Sequence, residues 1–180
     1  MDNGDIESVR SIYGVNPNGR VAENTHLSWR NPAPWKGKQR LIKLDLTTGE
    51  MMAIEPFDKD GGGIIAPPVN VPEFKICIAW DSINGGLAGI SSKDQNLSVS
   101  WHLDARPTMQ PVVFPESGEL VINNYENGED ELIVVDVSSG ELLSRVKVNA
   151  RLANGMFLTP GFNRDIFYCT TGTFSKVTWI

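Results

Sequence analysis

The hydrophobic and polar positions of this chain follow one pattern that recurs four times. In its clearest copies, residues 41–50 and 132–141, a mainly apolar run precedes an aspartate, and the turn residues Thr-Thr-Gly-Glu or Ser-Ser-Gly-Glu follow. A degraded copy begins at Leu87 and a fourth at Phe174, so the copies start 46, 45 and 42 residues apart. Short apolar runs separated by turn residues predict β-strands joined by tight turns.

The most regular copy predicts four antiparallel strands, at 110–115, 119–125, 131–137 and 142–148, with a polar loop at 126–130. Its unbroken apolar run, 132–135, predicts a third strand that is buried on both faces. Four strands repeated about every 45 residues are typical of a β-propeller blade. We therefore predict an all-β fold, a single domain over residues 1–180, with about four propeller-type blades of four antiparallel strands. The predicted blades are 16–57, 64–103, 110–148 and 156–180.

The fourth predicted blade is incomplete because only three strands fit after residue 156. Residues 6–13 have a strand pattern and are a candidate for the missing strand, which would close the ring, since an open sheet edge invites aggregation. Residues 26–30 are the predicted second strand of the first blade. Two ring sizes stay open. One is a small closed ring of four blades, and the other is half of a larger ring, which a homodimer or further residues would complete.

The turn motif resembles a known repeat. Leu-Ile-x-x-Asp-Leu/Val-x-Thr/Ser-Gly-Glu, at 41–50 and 132–141, is similar to the repeats of the quinoprotein-like (PQQ-like or YVTN-type) β-propellers. In that family an aspartate begins the turn, Gly-Lys or Gly-Glu ends it, and a tryptophan often follows. Here only the degraded copy has that tryptophan, Trp101, and the adjacent cysteines of quinone-dependent alcohol dehydrogenases are missing. The resemblance thus implies propeller architecture, and we do not expect PQQ to bind.

The composition of the chain argues against some classes of function and partner. The net charge of −6 and the pI near 4.9 argue against a nucleic-acid partner, which needs a basic surface. No apolar run approaches the ~20 residues of a membrane span, and the polar N-terminus is unlike a signal peptide. We expect a cytoplasmic protein, or a periplasmic or secreted one if a leader has been removed. Cys77 and Cys169 fall in blades that are not neighbours, which predicts two buried thiols rather than a disulfide.

Candidate ligand groups lie in loops that face one mouth of the predicted ring. Oxygen ligands suited to Ca²⁺ or another divalent cation are offered by Asp81, Asn84, Asn123, Asn124 and Glu126. At the blade junctions, Arg106 and Arg151 suit an anionic ligand. The same residues also have a structural explanation, which we favour: turns select Asp and Asn, and the arginines tie neighbouring blades to carboxylates. We therefore predict no resident cofactor, with a divalent cation as the alternative.

The sequence lacks the Gly-x-Ser-x-Gly, Walker and Rossmann patterns, and its two histidines have no companions at zinc-ligand spacing. We therefore predict a binding or interaction module that contacts a protein partner or a small molecule and is not an enzyme. Two enzymatic alternatives stay open. A metal-dependent hydrolase or lactonase-type propeller needs Asp81, Asn123 or Asn124, and Glu126 at one cation. A fragment of a quinone-dependent dehydrogenase needs the quinone and a larger ring.

Overall fold

The computed structural model describes residues 8–12, 38–45, 47–62, 68–93, 96–148, 157–170 and 172–179. Apart from one 3₁₀ turn at Pro72–Phe74, the regular elements in these ranges are strands. The strands are β1 (Ser8–Ile12), β2 (Arg40–Leu44), β3 (Met51–Ile54), β4 (Val69–Val71), β5 (Ile76–Trp80), β6 (Leu87–Ser91), β7 (Ser98–Leu103), β8 (Val112–Phe114), β9 (Glu119–Glu126), β10 (Glu129–Asp136), β11 (Leu142–Lys147), β12 (Phe157–Pro160), β13 (Asp165–Cys169) and β14 (Phe174–Thr178). A helix with the length and apolar character of a membrane span does not occur among the described residues.

The strands form four antiparallel sheets, each from strands that are consecutive in the chain. Sheet one has the order β1-β2-β3, sheet two β4-β5-β6-β7, sheet three β8-β9-β10-β11 and sheet four β12-β13-β14. The all-β prediction and the blade of four antiparallel strands are both confirmed. Apolar clusters join sheet one to two, two to three and three to four. Over the described ranges the sheets therefore form an open row, as in an incomplete propeller.

The first strand lies elsewhere than predicted. Ser8–Ile12 pairs antiparallel with β2, from Ser8 opposite Leu44 to Ile12 opposite Arg40. It therefore occupies the second-strand position of sheet one and does not complete sheet four. A strand does form within residues 6–13, but the sheet that it was expected to join is wrong. Residues 26–30, predicted for that same position, lie outside the described residues. Alternating polarity identifies a strand, but a partner 28 to 36 residues away leaves no local mark in the sequence.

Each inner sheet contributes two apolar faces because its strands alternate side chains between two neighbours. In β10, Ile133 and Val135 pack toward sheet two, whereas Leu132 and Val134 pack toward sheet four. All four side chains are at most 5% exposed. The burial on both faces predicted from the unbroken apolar run is thus confirmed.

The hairpin between β9 and β10 is longer than predicted. Residues 126–130 include the end of one strand and the start of the next, and only Asn127 and Gly128 form the turn. Both adopt positive φ, 52° and 84°, as the two-residue turn that matches strand twist requires. The Asn-Gly pair favours this turn, so the flanking polar residues Glu129 and Asp130 belong to the ladder.

The recurring turn motif has one hydrogen-bond pattern in both clear copies. Asp136 Oδ1 accepts the backbone N–H groups of Ser138 and Ser139, and Asp136 O accepts that of Gly140 at 2.9 Å. Asp45 makes the same bonds to Thr47, Thr48 and Gly49. The side chain thus satisfies donors that the tight turn leaves unpaired, as expected from an aspartate at the first turn position.

Trp101 connects sheets two and three. Its indole Nε1 donates to Val137 O at 2.9 Å, and the side chain is 7% exposed. The ring lies over Gly89 of its own sheet and Gly140 of the next, where an added Cβ would approach it to 2.3 Å and 2.5 Å. Two glycines therefore make room for one indole, which explains why this sheet needs Gly89 in the middle of a buried strand.

Candidate functional site

Asp81 anchors a third turn of the same construction. Its Oδ1 accepts the backbone N–H groups of Ile83 and Asn84, both at 2.9 Å, and its carbonyl accepts that of Gly85 at 3.1 Å. The residue is fully buried, and an added Cβ at Gly62 would lie 2.3 Å from Oδ2. A sequence signal for this turn exists: Asp and Gly are four residues apart at 45 and 49, at 81 and 85, and at 136 and 140.

Asn84 joins this turn to the segment before sheet two. Its Nδ2 donates to Asp81 Oδ2 and to the carbonyl of Asp60, both at 3.1 Å. Lys59 Nζ donates to the Asn84 carbonyl at 3.3 Å. The structure therefore brings two predicted ligand residues together, Asp81 and Asn84, but engages them with each other and with the backbone.

Asn123 is fully buried and completely engaged. Its Oδ1 accepts the backbone N–H groups of Thr108 and Met109, both at 3.0 Å. Its Nδ2 donates to Thr108 Oγ1 at 2.7 Å and to Asp130 Oδ1 at 3.1 Å. These bonds fix the segment that leads from sheet two into sheet three. A cation at Asn123 would have to displace two backbone donors.

Arg106 and Asn124 tie sheet two to sheet three. Asn124 Oδ1 accepts the Arg106 backbone N–H at 2.7 Å, and Asn124 Nδ2 donates to Glu131 Oε1 at 3.0 Å. Arg106 Nε donates to the Ser82 carbonyl at 3.0 Å, and its guanidinium lies 5.7 Å from the centre of the Tyr125 ring. The contacts fit the inter-blade tie that we favoured, but a carbonyl and an aromatic ring take the place of the expected carboxylate.

The other two predicted site residues are apart from this cluster. Glu126 is exposed at the tip of the β9–β10 hairpin, and Arg151 lies outside the described residues. In the part of the chain that the structure describes, no three His, Cys, Asp or Glu side chains are close enough to hold a metal ion. Asp81, Arg106 and Asn124 share one end of sheets two and three, whereas Asn123 faces sheet four. Ligand binding at these residues stays a prediction.

A buried acid–phenol pair lies between sheets three and four and has no recognisable sequence motif. Tyr168 Oη donates to Asp130 Oδ2 at 2.6 Å, and both residues are at most 4% exposed. Burial raises the pKa of Tyr168 well above its ordinary value, and the neighbouring carboxylate raises it further. Together with Asn123, the pair forms a buried polar network that fixes the two sheets in one register.

A second buried acid joins the same sheets. Glu119, which is 3% exposed, accepts hydrogen bonds from Arg164 Nε at 2.7 Å, from the Arg164 Nη2, and from Ser117 Oγ at 2.7 Å. Trp179 Nε1 donates to it at 3.2 Å. The Arg164 hydrogen bond is the main cause that lowers the pKa of Glu119 to about 2. Arg164 and Trp179 both belong to sheet four, so the next sheet supplies the donors for this acid.

The outer face of sheet four carries exposed aromatic side chains. Phe157, Cys169 and Phe174 lie side by side across the three strands, and Phe167 stacks on Phe174 with ring centres 5.4 Å apart. Phe157 is 60% exposed and Phe174 is 70% exposed. We call the residues Phe157, Phe167, Cys169 and Phe174 the phenylalanine face. Monomeric proteins rarely expose aromatic side chains grouped in one patch, so this face stands out on the surface of the sheet.

A half-satisfied carboxylate lies on the same outer face. Asp165 is 1% exposed, and its Oδ2 pairs with Lys176 Nζ at 2.7 Å. Among the described residues, no donor reaches Asp165 Oδ1. Asp165 begins β13 as Glu119 begins β9, 46 residues earlier, and each acid is on the sheet face that is directed away from the preceding sheet. For Glu119 the next sheet supplies the donors, whereas over the described ranges no further sheet lies on that side of Asp165.

The two thiols are placed differently from each other. Cys77 is buried between sheets one and two, whereas Cys169 is half-buried on the phenylalanine face, so only one of the two predicted buried thiols is confirmed. No disulfide joins them, as predicted, because sheet three lies between their sheets. Two thiols this far apart do not reproduce the adjacent-cysteine pair associated with quinone-dependent alcohol dehydrogenases.

The fold is similar to known propeller domains. No protein-family model and no curated protein matches the sequence. Among solved structures, the chain resembles quinohemoprotein alcohol dehydrogenase ADHIIG from Pseudomonas putida HK5, with a TM-score of 0.54 and 12% identity over 74% of this chain and 26% of that one. It also resembles TolB from Acinetobacter baumannii, with a TM-score of 0.47 and 14% identity over 96% and 41%. The β-propeller domain of the Trilobed protease from Pyrococcus furiosus gives a TM-score of 0.43 and 12% identity over 79% and 49%.

At sequence identities of 12–14%, the similarity concerns the fold alone. This conclusion rests on the dehydrogenase, for which the TM-score is 0.54. The chain spans about a quarter of the length of the dehydrogenase that it matches. The likeness agrees with the quinoprotein-like resemblance of the turn motif at the level of architecture. The chain has a β-propeller fold, and the activity of the matched dehydrogenase does not follow from that fold.

Proposed function

We propose that this β-propeller chain is a non-enzymatic binding module that acts through the outer face of sheet four, where a second copy of the chain binds. The observation that supports the proposal is the phenylalanine face, beside which Asp165 keeps one carboxylate oxygen without a donor. Large exposed aromatic side chains rimmed by charge are typical of the centre of a protein interface.

A second copy of the same face is chemically complementary to it. A two-fold interface brings one surface patch against itself, so the patch must carry both members of each attractive pair. This face carries an acid, Asp165, and a base, Lys176, whose side chain is 50% exposed. A facing copy therefore presents aromatic rings toward the phenylalanine face, with the half-exposed Lys176 at the rim of that face.

Sheet one is a poorer partner for this face. Its outer surface carries the ion pair Arg40–Glu55, with Nε and Oε1 2.9 Å apart, at the end that corresponds to Phe174. Its exposed apolar residues, Leu44 and Met51, lie at the other end, which corresponds to Asp165. Stacking sheet one on sheet four would bury an ion pair against phenylalanine and a methionine against a carboxylate, both of which cost free energy.

Sedimentation equilibrium over a wide range of protein concentration tests the proposal. We expect the intact chain to show twice the 19.8 kDa mass of the monomer, and the double variant Phe157→Ser/Phe174→Ser to be monomeric. Met51→Ser is the matched control, because Met51 is 65% exposed on the outer face of sheet one. A monomeric wild type overturns the proposal. So does equal loss of the dimer in the Met51 variant, which would mean that sheet one takes part in a ring.

A further inference from the structure

A cavity of about 280 Å³ lies between the outer strand of sheet three and the last strand of sheet four. The residues that line it are Val121, Leu132, Val134, Ser144, Arg145, Val146, Val177, Thr178 and Trp179. Most of these side chains are apolar, and the volume is several times the ~30 Å³ of a water molecule. The cavity is therefore suited to an apolar side chain.

The corresponding space between sheets two and three is filled by a side chain. There Trp101, from the outer strand of sheet two, is buried against the turn and the outer strand of sheet three. Its counterpart in the strand register is Ser144, which lies opposite Val134 as Trp101 lies opposite Gly89, and which is exposed and lines the cavity. The smaller side chain explains part of the empty volume. The rest arises because sheet four has three strands in the described ranges, so no fourth strand lies opposite β11.

The free edge of β14 borders this cavity. β14 pairs with β13 on one side, and in the described residues no strand pairs with its other side. An unpaired edge presents a row of backbone donors and acceptors to any extended segment. Val177 of β14 packs inward and lines the cavity, so a strand added beside β14 would direct alternate side chains into it.

We propose that the edge of β14 and the adjacent cavity form a peptide-binding site, in which an extended segment pairs with β14 and inserts an aromatic side chain between β11 and β14. Strand addition of this kind takes its affinity from main-chain hydrogen bonds and its specificity from side-chain pockets. Arg145 lines the cavity, is 61% exposed and lies 3.8 Å from Glu131 Oε1, so its remaining donors favour a segment with an acidic residue near the aromatic one.

The chain itself contains a strand of this chemistry, which serves as the probe. A synthetic peptide of residues 96–104, Asn-Leu-Ser-Val-Ser-Trp-His-Leu-Asp, reproduces β7 with Trp101 and the acidic Asp104. Titration of this peptide into the full chain, followed by calorimetry, should show saturable binding at one site per chain. The same peptide with serine in place of the tryptophan should bind at least tenfold more weakly, since the cavity then stays unfilled.

Two variants of β11 locate the site. Val146→Glu places a charge at the cavity and should weaken peptide binding at least tenfold. Leu143→Glu is the matched control, because Leu143 is on the same strand and 49% exposed but does not line the cavity. Circular dichroism confirms that both variants are folded. Absence of saturable binding to the wild type, or an equal effect of the two variants, would overturn the proposal.

This site is separate from the phenylalanine face, and the two proposals fail independently. The single variant Phe157→Ser, which changes β12 at the other edge of sheet four, should keep its peptide affinity, and Val146→Glu should keep the mass of the wild type. If Val146→Glu instead changes the mass, the edge of β14 is occupied by a second copy and the peptide site is wrong.

Discussion

Glu119 shows how a buried carboxylate can hold two sheets together in its charged form. Arg164 and Trp179 from sheet four and Ser117 from sheet three donate to it, and these bonds lower its pKa from 4.5 to about 2. Because the pKa is lower in the folded state, the bonds stabilise the fold fully above pH 4.5. That stabilisation is lost as the pH falls from 4.5 toward 2.

Replacing Glu119 by Gln should lower the free energy of unfolding at pH 7 by about 2 kcal/mol. The lowered pKa of Glu119 by itself corresponds to a somewhat larger loss of stability. Arg164 is 46% exposed, however, so solvent screens part of the interaction. The difference between wild type and variant should shrink as the pH falls from 4.5 to 3, which urea denaturation at each pH measures.

Glu129→Gln is the control for this experiment. Glu129 pairs with Lys147 at 3.6 Å, but both side chains are more than 70% exposed, so its removal should change stability little at any of these pH values. A loss for Glu119→Gln that is the same at pH 7 and pH 3 would show that the charge of Glu119 does not stabilise the junction.

At the scale of elements, the repeated turn has different surroundings in different sheets. Gly49 and Gly140 both end the turn, and both have φ of +74°. Nothing lies within 4 Å of a Cβ added at Gly49, whereas at Gly140 the added Cβ would lie 2.5 Å from the Trp101 ring. The turn at Gly49 therefore shapes only its own hairpin, whereas the turn at Gly140 also forms part of the junction between sheets two and three.

This difference gives a matched pair of substitutions. Gly49→Ala should cost about 1 kcal/mol, the strain of a left-handed alanine, whereas Gly140→Ala should cost about 3 kcal/mol or more because it also displaces the indole. Urea denaturation followed by circular dichroism measures both. Equal costs would mean that Trp101 can move away from Gly140 without loss, and that the indole does not fix the two sheets.

The elements also show which features a sequence can predict. The turns at Asp45 and Asp136 could be predicted because their chemistry lies within a few consecutive residues. The same chemistry at Asp81 was harder to separate from a ligand site, since an aspartate before a glycine suits both. The partners of Asn123, of Arg106 and of β1 lie 7 to 36 residues away in the chain, and the sequence pattern carries no local trace of those distances.

At the scale of the whole molecule, the four sheets form a row in which each sheet contacts its neighbours. Sheets two and three have apolar clusters on both faces, whereas sheets one and four have an apolar cluster on one face each over the described ranges. In such a row, stability is approximately a sum of terms for each sheet and each junction. The two outer sheets should therefore open at a lower free energy than the two inner ones.

Hydrogen–deuterium exchange along the chain measures this gradient. We expect the slowest exchange in β5, β6, β9 and β10, and faster exchange in β2 and β13. If a second copy covers the outer face of sheet four, protection of β13 and β14 should rise with protein concentration, while that of β2 and β3 should not. Uniform protection across all four sheets would mean that the row unfolds as one cooperative unit. A concentration-dependent rise in sheet one would instead favour a ring in which sheet one meets sheet four of another copy, so the same measurement separates the two ways of completing the propeller.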